Sequence, residues 1–124
     1  MSLSSDTQAV FFDAADTLFH VKGSVGEVYV RHARKYGVTA GDAAVQQAFA
    51  RAFADAPLPV FAVSDPQGIK TCERMWWFDV VHNVFYRVGM FEGFDEYFDE
   101  VFAYFSRPES WVLYPDVVPA LRAL

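Results

Sequence analysis

A chain of 124 residues can hold one domain with a real core and is too short for two comfortable ones. Apolar residues make up 53% of it and charged residues 21%, which excludes a disordered composition. The net charge of −6 argues against nucleic acid as the main partner, because no basic stripe exists to neutralise phosphates, yet it leaves room for one small phosphorylated substrate.

Thirteen Phe, six Tyr and three Trp imply a thick aromatic core or a large apolar interface. Cys72 is the single cysteine, so no internal disulfide forms, which suits a reducing cytoplasm. Met1 to Gln8 is polar and lacks the basic and apolar regions of a signal peptide. No apolar run approaches the roughly 20 residues that span a bilayer. A soluble, cytoplasmic chain with no membrane partner is expected.

In chain order, Ala9-Val10-Phe11-Phe12 has the composition of a strand buried on both faces, ending at Asp13. Ala14 to His20 forms a loop or tight turn, and Gly23 and Gly26 punctuate its exit. Ser24 and Glu27 have capping-box spacing, and Val25, Val28, Tyr29, His32 and Tyr36 then follow at helical spacing up to a stop at Gly37. Thr39 or Asp42 opens a second helix that Pro57 and Pro59 end. A third helix is predicted from about Ile69 to Val88, a fourth from about Phe94 to Phe105. Trp111 to Tyr114 is extended, and Pro115-Asp116 starts a last helix. The chain stops at Leu124 in mid-pattern, so the remaining strands of the sheet are expected outside it.

The segment that carries chemistry runs from Val10 to Phe19. Ligand sites in open α/β sheets lie beyond the carboxyl ends of strands, where Asp13 stands. A carboxylate there can attack an electrophile or hold Mg²⁺. It can also do no more than accept turn N–H bonds, with Asp16-Thr17 a turn or cap. Spacing alone leaves both open.

Phe12-Asp13-Ala14-Ala15-Asp16-Thr17-Leu18-Phe19 resembles the first motif of the haloacid dehalogenase superfamily. Val25 to Tyr29, Phe61, Trp76-Trp77 and the stretch from Arg107 through Trp111 to Asp116 resemble its helical-cap subfamily. Within that subfamily they are similar to the phosphatase-like branch named for the rhythmically expressed gene. The resemblance implies an α/β fold, mostly helical over this length. Residues 1–20 would be the first strand and catalytic loop of a Rossmann-like core, 21–110 a helical cap, and 111–124 the return to the core.

It further implies that Asp13 is the nucleophile and an Mg²⁺ ligand, that the Ala15 backbone carbonyl is a second ligand, and that Thr17 braces the loop. The substrate would be a small phosphorylated or other small molecule. Two departures matter. Ala15 stands where family phosphatases carry an acid/base Asp, a group worth about 10²–10⁴-fold. Asp16 stands at the usual Gly; it either supplies a carboxylate from one residue further on or accepts a left-handed backbone angle, the preferred reading. A halide leaving group needs no protonation, so a metal-independent 2-haloacid dehalogenase is the second enzyme reading. A non-catalytic helical interaction module is the third.

The remaining candidates are less telling. Lys22 is a solvated loop lysine that could approach an anionic substrate, and His20 lies where the loop overhangs the site. His32 and His82 read as packing or surface residues. Trp76 and Trp77 could line a substrate cleft between cap and core, and helix packing is the preferred reading for at least one of them. The run from Glu92 to Glu100 reads as a solvated helix face, and Arg31, Arg34 and Lys35 as complements to a helix dipole.

Overall fold

The computed structural model describes residues 3–124; Met1 and Ser2, part of the stretch read for a leader, lie outside the described residues. The elements in order are β1 (Phe19–Val21), α1 (Val25–Ala33), a 3₁₀ turn (Arg34–Tyr36), α2 (Asp42–Asp55), α3 (Pro66–Val88), α4 (Phe94–Phe105), a second 3₁₀ turn (Pro108–Ser110), β2 (Trp111–Leu113) and α5 (Val117–Arg122). The chain is mostly helical with one two-stranded sheet, compatible with an α/β class. It divides into a helical unit, Gly23–Ser106, and a second unit made of the residues up to Lys22 together with Arg107–Leu124. Among the described residues no helix is long and apolar enough to cross a membrane.

In the helical unit, local chemistry sets the helix ends. The Ser24 hydroxyl accepts the Glu27 N–H at 3.1 Å, and the Glu27 carboxylate accepts the Ser24 N–H at 3.3 Å, a closed capping box. Helix α1 gives way to 3₁₀ geometry at Arg34 and stops at Gly37, whose φ of 86° favours glycine. The third helix starts three residues before the expected Ile69, because the Asp65 carboxylate accepts the Gly68 N–H at 2.7 Å and Pro66 fits the first turn. The second opens at Asp42, not Thr39, and the fourth spans Phe94–Phe105 as its spacing predicts.

These helices bury a core of Tyr29, Val30, Ala33, Val45, Ala48, Ala52, Val80, Val81, Val84, Phe85, Phe94, Tyr97, Phe98 and Val101. The Tyr97 hydroxyl donates to the Tyr29 carbonyl at 2.9 Å, so the buried phenol is satisfied; burial pushes both phenol pKa values up. Trp76 packs edge-on against Trp77 and Phe53, Trp77 lies tilted against Phe53, and the Trp76 indole donates to the Pro57 carbonyl at 2.8 Å.

The acidic run from Glu92 to Glu100 is a largely solvated face, with Glu92, Asp95, Glu96 and Asp99 exposed and Glu100 half-buried, and two of its carboxylates also find specific partners. Asp99 pairs with Arg74, whose guanidinium lies over the Phe98 and Phe102 rings. Glu100 pairs with Lys35 at 2.7 Å and accepts the Tyr36 hydroxyl at 2.8 Å. Lys35 and Tyr36 hold the Glu100 carboxyl below its ordinary range, while the hydrogen bond to Glu100 raises Tyr36 to about 12. Sequence spacing within α4 gives no sign of partners on the first 3₁₀ turn and on α3. Lys35 thus has a specific anion beyond the helix dipole, and Arg31 sits 5.3 Å over the Tyr104 ring. His32 packs edge-on against Tyr104, with Nδ1 2.9 Å from the Val28 carbonyl, and exposed His82 lies against Phe78 and Phe94.

Gly26 marks the tightest approach of α1 to α2. Its N–H, one of the orphan donors of a helix start, donates to the Gln46 side-chain oxygen at 2.7 Å. An added Cβ would stand 2.5 Å from the Asp42 carbonyl and 2.8 Å from the Gln46 nitrogen, both backbone atoms. Gly26→Ala is expected to destabilise by about 1–3 kcal/mol through overpacking. Denaturant unfolding measures it; an unchanged midpoint would mean that α1 and α2 separate easily.

In the second unit, β1 and β2 pair antiparallel with Phe19 opposite Leu113, His20 opposite Val112 and Val21 opposite Trp111. Phe19 packs edge-on against Trp111 at 5.2 Å. The expected strand at Ala9 to Phe12 is absent. These residues carry no strand assignment and no backbone hydrogen bond among the described residues. A strand needs a neighbour for its N–H and C=O groups, and none of the described segments supplies one.

Candidate active site

The motif residues build one tight turn. The Ala14 carbonyl accepts the N–H groups of Thr17 at 3.1 Å, Leu18 at 2.8 Å and Phe19 at 3.5 Å. In return the Phe19 carbonyl accepts the Asp16 N–H at 2.7 Å, which sets Ala15 beside Phe19 in a parallel bridge. The chain reverses at Asp16, which has a φ of 63° and is the one non-glycine residue with positive φ among the described residues. Asp tolerates that region better than most residues, which accounts for a non-glycine there.

The reversal carries Thr17 back toward Asp13. Its hydroxyl donates to Asp13 Oδ2 at 2.8 Å. Asp13 and Thr17 are both exposed, and the bond fixes which way the carboxylate faces. The bonds that close the turn go to the carbonyls of Ala14 and Phe19, leaving the Ala15 carbonyl outside them. Two hard oxygen donors, one anionic and one neutral, thus belong to positions two residues apart in the turn, a donor set that suits Mg²⁺. They are a partial set: among the described residues no group of three or more His, Cys, Asp or Glu side chains converges to hold a metal.

Of the other candidates, Lys22 is exposed, with its backbone N–H donated to the Ser110 carbonyl at 2.9 Å. His20 is half-buried on β1, with Nδ1 2.9 Å from the Val21 carbonyl and its ring 4.9 Å from that of Tyr114. No local spacing signals Tyr114 as a partner; only the pairing of β1 with β2 brings it there.

No protein-family model matches the chain. Among the curated proteins that resemble it are three called haloacid dehalogenase-like hydrolase domain-containing protein 3. The zebrafish (Danio rerio) protein is 28% identical over 116 residues, covering 92% of this chain and 47% of that protein. The mouse (Mus musculus) protein is 33% identical over 104 residues, covering 81% and 40%. The human (Homo sapiens) protein is 27% identical over 115 residues, covering 90% and 44%.

The chain is similar to haloacid dehalogenase-like hydrolases. It spans less than half the length of these relatives. With 92% of the chain aligned to the zebrafish protein, the likeness takes in both units. The superfamily resemblance first carried by Phe12 to Phe19 therefore extends well beyond the motif, at the level of a hydrolase of this kind.

Proposed function

We propose that the chain is the first part of a Mg²⁺-dependent phosphoric monoester hydrolase that works through an aspartyl-phosphate on Asp13. The observation that carries the reading is the Thr17–Asp13 hydrogen bond at 2.8 Å across a turn whose Ala15 carbonyl is left outside the turn's own bonds. A carboxylate held in one orientation at an exposed turn is preorganised for in-line attack.

Asp13 attacks phosphorus through one carboxylate oxygen, and the bond from phosphorus to the substrate's alcohol oxygen breaks. Water then hydrolyses the acyl phosphate and returns Asp13 as the free carboxylate. Thr17 holds the nucleophile's direction in both steps. The Asp13 carboxylate and the Ala15 carbonyl are the groups that would hold Mg²⁺, which when bound supplies charge neutralisation for the phosphoryl oxygens. Protonation of the leaving alkoxide has no side chain at Ala15, so a slow enzyme is expected unless the substrate's alcohol is a good leaving group.

Under this reading residues 1–20 carry the first strand and catalytic loop, 21–110 a helical cap, and 111–124 the return to a Rossmann-like core. Further chain, as in relatives about twice as long, would supply the strands that Ala9 to Phe12 pair with and the remaining ligands of phosphate and metal. One observation favours a second reading: with Ala15 in place of a proton donor, a 2-haloacid dehalogenase is chemically consistent.

A single assay separates the two. The parent protein is expected to release phosphate from a generic monoester with Mg²⁺ present, and chelation should abolish the release. Chloride release from a 2-haloacid that survives chelation would overturn the phosphatase reading in favour of the dehalogenase.

A further inference from the structure

Asp16 holds a backbone conformation that most side chains avoid. Its φ of 63° lies in the left-handed region, which glycine enters freely and Asp enters at some cost. The turn uses the backbone at this position, where the Asp16 N–H donates to the Phe19 carbonyl at 2.7 Å. An Asp side chain in a turn commonly accepts a nearby N–H as well. Among the described residues the Asp16 carboxylate accepts no hydrogen bond and pairs with no cation. The turn therefore draws nothing from this carboxylate that glycine would not give. A non-glycine residue held at a sparsely populated angle without a structural return points to chemistry.

Its place in the turn narrows that chemistry. Asp13, Asp16 and Thr17 belong to one short ring. The ring is closed by the Thr17 hydroxyl on Asp13 Oδ2 at 2.8 Å and by the Thr17 N–H on the Ala14 carbonyl at 3.1 Å. Neighbouring Cα atoms are about 3.8 Å apart, so Asp16 stands directly beside the residue that holds the nucleophile. The proposed reaction leaves a task here without a group. Once Asp13 carries the phosphoryl group, it cannot activate the water that removes it. Position 15 is alanine and offers no base.

We propose that Asp16 is the general base of the second step, the hydrolysis of the aspartyl-phosphate. This inference rests on the phosphatase reading above. Water attacks phosphorus, and its proton passes to the Asp16 carboxylate as the new P–O bond forms. The bond from phosphorus to the Asp13 oxygen breaks, its electron pair returns to the Asp13 carboxylate, and inorganic phosphate leaves. Asp16 then gives its proton to bulk water. Protonation of the leaving alkoxide in the first step stays unassisted, as Ala15 implies.

His20 is the rival base. Its Nδ1 lies 2.9 Å from the Val21 carbonyl, so the neutral ring carries its proton there and keeps a lone pair on Nε2. It sits on β1, past the end of the ring that Thr17 closes, and packs against Tyr114 with ring centres 4.9 Å apart. Asp16 is exposed inside that ring, and His20 is half-buried outside it. His20 therefore serves as the control.

The test uses the parent protein with Mg²⁺ and a nitrophenyl monoester, whose leaving group needs no proton, and follows nitrophenol from the first turnover. Asp16→Asn is the main variant, because Asn also accepts the left-handed angle. It is expected to release about one nitrophenol per site in a burst and then to turn over roughly 10²–10⁴-fold more slowly than wild type. Acid-quenched Asp16→Asn should carry a phosphoryl group on Asp13, read by mass spectrometry. Asp16→Gly should show the same kinetics with a melting midpoint no lower than wild type, a result that a damaged turn would not give. His20→Gln should turn over at the wild-type rate.

An Asp16→Asn variant that keeps wild-type turnover overturns the proposal, as does one that loses the burst together with turnover. A burst followed by a slow phase in His20→Gln and not in Asp16→Asn would move the base to His20. Failure of the two readings is distinguishable. A wild-type protein that releases no nitrophenol overturns the phosphatase reading and this inference with it, whereas an active wild type matched by Asp16→Asn overturns this inference alone.

Discussion

Asp13→Asn in the parent protein is expected to lower phosphate release to background, a loss of at least roughly 10³-fold, because a neutral amide is a poor nucleophile and a poor ligand for a hard cation. The substitution keeps the side chain's shape and leaves an oxygen to accept the Thr17 hydroxyl, now at 2.8 Å from Oδ2. Asp13 is exposed, so stability should change by no more than about 0.5 kcal/mol. Activity lost together with the fold would say nothing of chemistry; activity retained at full rate would remove Asp13 from the mechanism. Ala15→Asp makes the complementary prediction. Ala15 is exposed, so a longer side chain has room. Restoring a proton donor there should raise turnover on a monoester with a poor leaving group by about 10²–10⁴-fold. No gain would show that position 15 does not face the leaving oxygen.

Phe85→Ala is expected to be the most destabilising single substitution in the helical unit. Phe85 is fully buried, and its ring packs edge-on against Phe91 at 5.1 Å and Tyr97 at 5.2 Å, with Tyr29 and Phe94 each at 6.3 Å. Its removal takes a large apolar surface out of the core and leaves a cavity lined by rigid rings that collapse poorly. The expected cost is about 3–5 kcal/mol, which for a chain of this size lowers the melting midpoint by roughly 10–20 °C. Phe85→Leu should cost markedly less, since most of the volume is retained. Calorimetry or denaturant titration measures both. A loss below about 1 kcal/mol for the alanine variant would mean that α3 and α4 can close over the gap.

The helices were legible because their determinants are local. Ser24 and Glu27 announce the start of α1 three residues apart, and the close of that capping box depends on no distant residue. The spacing of Phe94, Tyr97, Phe98, Val101, Phe102 and Phe105 located α4 for the same reason, with four of the six buried and the other two half-buried. The start of α3 shifted because Asp65 and Pro66 together cap a helix earlier than the apolar stripe begins. The motif around Asp13 was legible as an order of residue types. The Thr17–Asp13 bond was not, because it needs Asp16 to reverse the backbone at φ 63°.

The sequence by itself determined the helical order, the caps, the aromatic core and the stretch in which chemistry would lie, all of which depend on neighbours a few residues away. Only the tertiary structure decided the fate of Ala9 to Phe12. Their composition suits a buried strand, but pairing is a property of two segments, and the described residues hold no second one. It likewise decided that Glu100 meets Lys35 and Tyr36, that His20 meets Tyr114, and that Gly26 presses against the start of α2. Those contacts join residues far apart in the chain, and no spacing within either segment encodes them.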